Sequence, residues 1–159
     1  MTFPLNSFSQ YVVVKDACSS ENSGAPSVIT AAAGLDNVKV TGQTIDRKQS
    51  NGALAHSMSV CTAWVAALTD TKTMSLAHEI QESDDGSTWD TAEAIEAATV
   101  KVTSDGGGNE RGEEEYAVDL MSRKRYFRIN VTLDLNAANT DTASFHTVAV
   151  MGGFDILPQ

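Results

Sequence analysis

The stretch Tyr126-Phe127-Arg128-Ile129-Asn130-Val131-Thr132-Leu133-Asp134-Leu135 decides the fold class. Phe127, Ile129, Val131, Leu133 and Leu135 alternate with Arg128, Asn130, Thr132 and Asp134 without a break. A helix would bring apolar residues round every three or four positions, whereas a period of two sends one side chain into a core and the next into water. The same alternation runs through Met74, Leu76, His78 and Ile80, and through the longer set Met58, Val60, Thr62, Trp64, Ala66 and Leu68. Tyr116, Val118 and Leu120 give a fourth strand, Val100 with Val102 a shorter fifth, and Val38 with Val40 a sixth with room to continue to Ile45. Phe145 to Met151 is apolar on both phases, the pattern of a strand covered on both sides. Counting Tyr11 to Lys15, about eight strands are expected.

The punctuation agrees. Asp84-Asp85-Gly86-Ser87 and Asp105-Gly106-Gly107-Gly108-Asn109 fall between strand runs, where glycine supplies positive φ, and Asn136 to Asp141 is a polar connector. Thr91 to Ala98 has a helix-friendly composition, but it is short and runs into Val100 without a stop signal; it reads as a strand or an irregular edge. No segment carries a 3.6-residue stripe, and nothing repeats at a 20 to 50 residue period. Many short strands without helices point to a sandwich, jelly roll or barrel. Residues 1–10 read as an N-terminal arm, with Phe3, Leu5 and Phe8 interleaved among Pro4, Asn6 and Ser7, and residues 11–159 as a single β domain.

A chain of 159 residues has the length of one ordinary domain. Leu, Ile, Val and Phe make up about 21% of it, just above the level at which a highly charged chain stays disordered. The net charge of −10 argues against binding to phosphate backbones or anionic lipid. No apolar run approaches the roughly 20 residues of a membrane span, and Met1 to Leu5 has neither a basic region nor the apolar stretch of a secretory signal. Cys18 and Cys61 belong to no C-x-x-C pair, and two free thiols are favoured over one disulfide; Cys61, inside an apolar alternation, reads as a small buried hydrophobe.

The residues that could carry chemistry do not assemble into a motif. His56, His78 and His146 have no metal-pair spacing, and His78 lies on the inward phase of its strand, as a core histidine would. There is no G-x-S-x-G elbow, and Gly106-Gly107-Gly108 lacks the Lys-Ser/Thr of a phosphate cradle, which leaves a hairpin tip. Glu79, Glu82, Asp84, Asp85 and Asp90 cluster, and Glu113-Glu114-Glu115 follow a glycine loop. A calcium loop needs a closing bidentate Glu that is missing here, so both runs read as solvated acidic loops. Ser83-Asp84-Asp85-Gly86-Ser87-Thr88-Trp89 resembles the Asp-box turn of sialidases, one residue short, in which Asp and Ser cap a hairpin turn and Trp packs beneath it. The bases Arg123, Lys124 and Arg125, with Arg128 following, and Arg47 with Lys48 stand out in so acidic a chain. They fit either a solvated turn or ion-pair contacts with an acidic partner or neighbouring subunit.

The order of motifs carries a further likeness. Thr44-Ile45-Asp46-Arg47 is followed by Ile80-Gln81-Glu82-Ser83-Asp84-Asp85-Gly86-Ser87-Thr88-Trp89, by Lys124-Arg125-Tyr126-Phe127-Arg128-Ile129, and by Val150-Met151-Gly152-Gly153-Phe154-Asp155-Ile156-Leu157-Pro158. Over residues 38–158 this succession resembles the small capsid decoration (cement) proteins of tailed bacteriophages. The resemblance implies a jelly-roll β-sandwich that binds the outer shell as a homotrimer, partners the major capsid protein and stabilises the head. It implies a virion location on the capsid surface, with assembly in the bacterial host cytoplasm. It also implies no catalytic residues, and beside it the residues themselves predict no cofactor or metal and no nucleic-acid or membrane partner. Capsid or subunit contacts would then fall to Phe3, Leu5 and Phe8 of the arm and to Arg47, Arg123, Lys124 and Arg125. The competing readings are a carbohydrate-binding jelly-roll module on a virion surface or tail, and a hydrolase. Ten aromatic residues, mostly on inward phases, lower the first, and the lack of a catalytic constellation lowers the second.

Overall fold

A computed structural model describes residues 12–21, 28–50, 52–136 and 140–154. The proposed arm, with Phe3, Leu5 and Phe8, lies outside them. Among the described residues there are ten strands and no helix: β1 (Val13–Ser19), β2 (Ile29–Thr30), β3 (Val38–Val40), β4 (Ile45–Asp46), β5 (Ser57–Leu68), β6 (Thr73–Ser83), β7 (Glu93–Thr103), β8 (Gly108–Asp119), β9 (Tyr126–Asn136) and β10 (Thr142–Gly152).

The strands form two antiparallel sheets. The first runs β1-β10-β5-β8 with β2 also on β10; the second runs β3-β9-β6-β7 with β4 also on β9. The pairing is nested. β1 takes β10, β3 and β4 take β9, β5 takes β8, and β6 takes β7. This is one long hairpin, with its tip between β6 and β7, rolled over so that its two ends fall into opposite sheets. It is the strand order of a jelly roll. The sandwich expected from sequence is therefore the observed fold.

The decisive alternation is realised as read. Phe127, Ile129, Val131, Leu133 and Leu135 of β9 are buried, and so are Met74, Leu76, His78 and Ile80 of β6. Met58, Val60, Thr62, Trp64, Ala66 and Leu68 of β5 meet them from the first sheet. Each of these strands is flanked on both sides, so its register is fixed and one whole phase must face the core.

The differences lie at sheet edges and crossings. The strand expected from Val38 toward Ile45 is broken into β3 and β4, because residues 41–44 cross toward the first sheet, where the Gln43 N–H donates to the Ala17 carbonyl at 2.7 Å. The strand opening at Tyr11 instead runs Val13–Ser19, with a bulge between Asp16 and Cys18 that lets consecutive Ala17 and Cys18 both be buried. β7 is an edge strand with three register shifts against β6. One of these, opposite Met74 and Ser75, moves Lys101 out of the ladder, so Val100 faces solvent at 60% exposure while Val102 packs on the core. Among the described residues β10 is covered on one face: Phe145, Thr147, Ala149 and Met151 face the core, whereas Val148 and Val150 lie half-buried on the outer face. The two thiols are free, but Cys18 is the buried one, and desolvation pushes its pKa up to about 12. Cys61 falls on the outer phase of β5 and is half-exposed.

Candidate functional site

The hairpin tip between β6 and β7 holds itself by side-chain caps. Asp85 Oδ1 accepts from the Thr88 and Ser87 N–H groups at 2.7 and 2.8 Å and from Ser83 Oγ at 2.9 Å. Ser83 Oγ in turn accepts from the Gly86 N–H at 2.9 Å. These donors, the Thr88 N–H foremost, hold the Asp85 carboxyl well below the usual carboxylate range. The capping resembles that of an Asp box, as read from sequence. Trp89, however, packs under the Arg128 guanidinium, 4.3 Å from its ring centroid.

Of the basic residues singled out in the sequence, Arg123, Lys124 and Arg128 converge on this tip. Arg123 Nη1 donates to Glu82 Oε1 at 2.5 Å and to Glu93 Oε2 at 2.8 Å, and its Nε reaches the Asp119 carbonyl. Lys124 Nζ lies 2.9 Å from Asp84 and 3.0 Å from Asp90, while its N–H donates to Glu82. Arg125 grips Asp46 with Nε and Nη2, and its guanidinium covers the Tyr126 ring at 4.8 Å. Burial pulls the Asp46 carboxyl up, but Arg125 and the Lys48 N–H outweigh it and leave the group below its ordinary range. Arg47 is 7% exposed and donates to the Leu120 and Ala55 carbonyls, tying the segment before β5 to the end of β8. Arg47, Arg123, Lys124 and Arg125 are thus engaged within the chain, and the acidic run at 79–90 supplies partners for Arg123 and Lys124. Glu113-Glu114-Glu115 are not a loop but the middle of β8, because the glycine turn closes earlier than the sequence suggests. Glu114 meets Lys101 at 3.2 Å, and Lys101 donates to the Tyr116 hydroxyl at 2.8 Å.

Sequence reasoning placed His78 in the core, and there it joins a polar chain between the sheets. His78 Nε2 lies 2.8 Å from Thr62 Oγ1, and Thr62 lies 2.8 Å from Thr147 Oγ1. Nδ1 finds no partner among the described residues. Desolvation, with Lys101 adding to it, lowers the histidine from 6.5 to about 4. The unfolded chain therefore binds a proton below pH 6.5 where the folded chain does not. Stability is expected to be constant above about pH 7 and to fall by up to about 3 kcal/mol as the pH drops toward 4. Urea melts of wild type and His78→Gln at pH 7.5 and 4.5 check this. The variant keeps a partner for Thr62 and should lose much less between the two conditions; equal losses would refute the assignment to His78.

Among the described residues no group of three or more His, Cys, Asp or Glu side chains is placed to hold a metal ion.

No protein-family model matches this sequence, and no curated protein does. Solved structures do share its fold. A chain in the structure of infectious bursal disease virus, Gx strain, superposes with a TM-score of 0.50 at 13% identity over 90% of this chain and 33% of that chain. The VP2 subviral particle of the same virus gives 0.48 at 11% identity, over 89% of this chain and 32% of that one. The CBM22-1 xylan-binding domain of Paenibacillus barcinonensis Xyn10C gives 0.37 at 6% identity, over 80% of this chain and 83% of that domain. This chain thus spans about a third of the viral chains it resembles, and at such identities the likeness is one of fold: a β-sandwich of the kind found in a virus-particle chain.

Proposed function

We propose that this chain is a structural virion protein: a decoration, or cement, protein that binds the outer shell of a tailed bacteriophage as a homotrimer, contacts the major capsid protein and stabilises the head. It is not an enzyme on this reading, and no cofactor takes part. The observation that carries the proposal is the nested pairing of β1 with β10 through β6 with β7, a jelly roll, joined to the order of motifs from Thr44 to Pro158 that resembles the cement proteins. The fold likeness to a chain of the infectious bursal disease virus particle supports a virion role in the same coarse sense.

The reading gives the chain a mechanical task. Each bound copy bridges neighbouring shell subunits, and many modest contacts on one closed surface act together through effective concentration. A carbohydrate-binding module would offer bare aromatic faces to a sugar ring, whereas Trp89 and Tyr126 each have a guanidinium on one face. Light scattering at micromolar concentration is expected to give about three times 16.9 kDa. Added to expanded shells assembled without it, the protein should raise the temperature at which they rupture. Shells whose rupture temperature is unmoved by saturating protein would overturn the proposal.

A further inference from the structure

The two outer faces of the sandwich differ in charge. On the second sheet, the outward residues of β6 and β9 include Glu79, paired with Lys39 at 2.6 Å, Gln81, Arg128 and Asp134. On the first sheet, the outward positions of the inner strands β5 and β10 include Ser57, Ser59, Cys61, Ala63, Val65 and Ala67, and Ser144, His146, Val148 and Val150. No carboxylate, lysine or arginine stands among these ten, in a chain where 20% of residues are charged. The face carries exposed apolar surface instead: Val65 is 53% exposed and Val14, beside Val150, is 60% exposed. Four strands at about 4.8 Å and some eleven residues at about 3.3 Å make a surface of roughly 700 Å², near the roughly 800 Å² per partner of a stable interface.

The rim of this face is acidic. Glu113 and Glu115 stand opposite Ala63 and Cys61 on β8, Asp119 stands opposite Ser57, and Asp16 stands beside Val148 across β1. Arg111, opposite Val65, is the base of the β8 rim, and Asp16 lies 3.4 Å from His146. A groove of about 590 Å³ runs between Val148 and His146 on one side and Glu113 and Glu115 on the other, floored by Cys61 and Ala63. An aliphatic stem with a cationic head fits it, its methylenes over the floor and its charge at the carboxylates.

We propose that this outer face of the first sheet is a docking surface for a shell subunit that presents lysines or arginines around an apolar centre. The inference rests on the decoration reading and assigns the surface that carries it. Charge decides the occupant. A second copy stacked face to face would set an acidic rim, Asp16 on β1 or Glu113, Glu115 and Asp119 on β8, against another acidic rim, in a chain already at −10. Arg111 is one base against Glu113, Glu115 and Asp119 on that rim, and Lys39, Lys101, Arg123, Lys124 and Arg125 are held in ion pairs with carboxylates of the same chain.

The test uses shells assembled without this chain and measures binding of three variants of the full chain. Glu113→Lys with Glu115→Lys reverses the rim, Val65→Lys charges the apolar centre, and Thr132→Lys on the second sheet is the control. All four positions are on outer phases, and unchanged melting temperatures verify the folds. Wild type and Thr132→Lys are expected to bind alike, with affinity falling as salt rises, while the double reversal and Val65→Lys each lose tenfold or more. Undiminished binding by both face variants would overturn this surface while leaving the decoration reading intact, as would an equal loss in the control. Failure of wild type itself to bind would remove the decoration reading and this inference together.

Discussion

Phe127→Ala is expected to remove about 3–5 kcal/mol of folding stability, and with it roughly 10 °C of melting temperature. The ring is fully buried near the start of β9 and sits between Glu82 of β6 and Ile45 of β4 in the ladder. Truncation removes the transfer energy of the ring and leaves a cavity that cannot collapse, because the strands on either side are locked in register by their own hydrogen bonds. Urea denaturation of the purified variant measures it, with Val100→Ala as comparison. Val100 is apolar too, but 60% exposed, and should lose less than about 0.5 kcal/mol. Similar losses at both positions would mean that β9 is not the spine of the core.

Gly42→Ala is expected to be at least as damaging, and for a different reason. Gly42 lies where the chain crosses between the sheets, and a Cβ there would meet the Ile129 carbonyl oxygen inside contact distance and the Ala17 carbonyl oxygen at 2.5 Å. Both are backbone atoms, one in each sheet, so neither can rotate away. Relief requires the sheets to separate locally, at the expense of the Gly42 N–H bond to Asn130 Oδ1 and of the neighbouring Gln43 bond to Ala17. A loss of about 3 kcal/mol or more follows, at the upper end of overpacking costs. Gly152→Ala is the control, because the nearest atom to its added methyl is the Ser57 hydroxyl at 3.7 Å. A Gly42→Ala protein as stable as Gly152→Ala would contradict the close approach of β1 and β9 at this crossing.

The sequence made β5, β6 and β9 legible because each has a neighbour on both sides and one face in the core, the condition under which alternation is strict. At β10, apolar residues on both phases suggested two covers, and among the described residues the core supplies one of them. The outer valines belong instead to the uncharged face of the first sheet. The Val100–Val102 phase was hidden by a bulge at Lys101, a feature of an edge strand under no obligation to hold register. The basic cluster was visible, but its partners were not, since Glu82, Asp84 and Asp90 lie 34 or more positions upstream. The pairing of Ser83 with Tyr126 is what places that acidic tip beside Arg123, Lys124 and Arg125. Arg47 looked like a surface base and is a buried donor to two carbonyls, which no local pattern could reveal.

Together these features describe a jelly roll that uses Arg123 and Lys124 to close its own hairpin tip and leaves one outer face uncharged with an acidic rim. Cryo-electron microscopy of particles purified with and without this chain tests that account most directly. The account predicts additional density on the outer surface of the shell, arranged in threes, with β5 and β10 of each copy turned toward the capsid subunit beneath. Identical maps, or density for the chain confined to the tail or to the interior of the head, would contradict it.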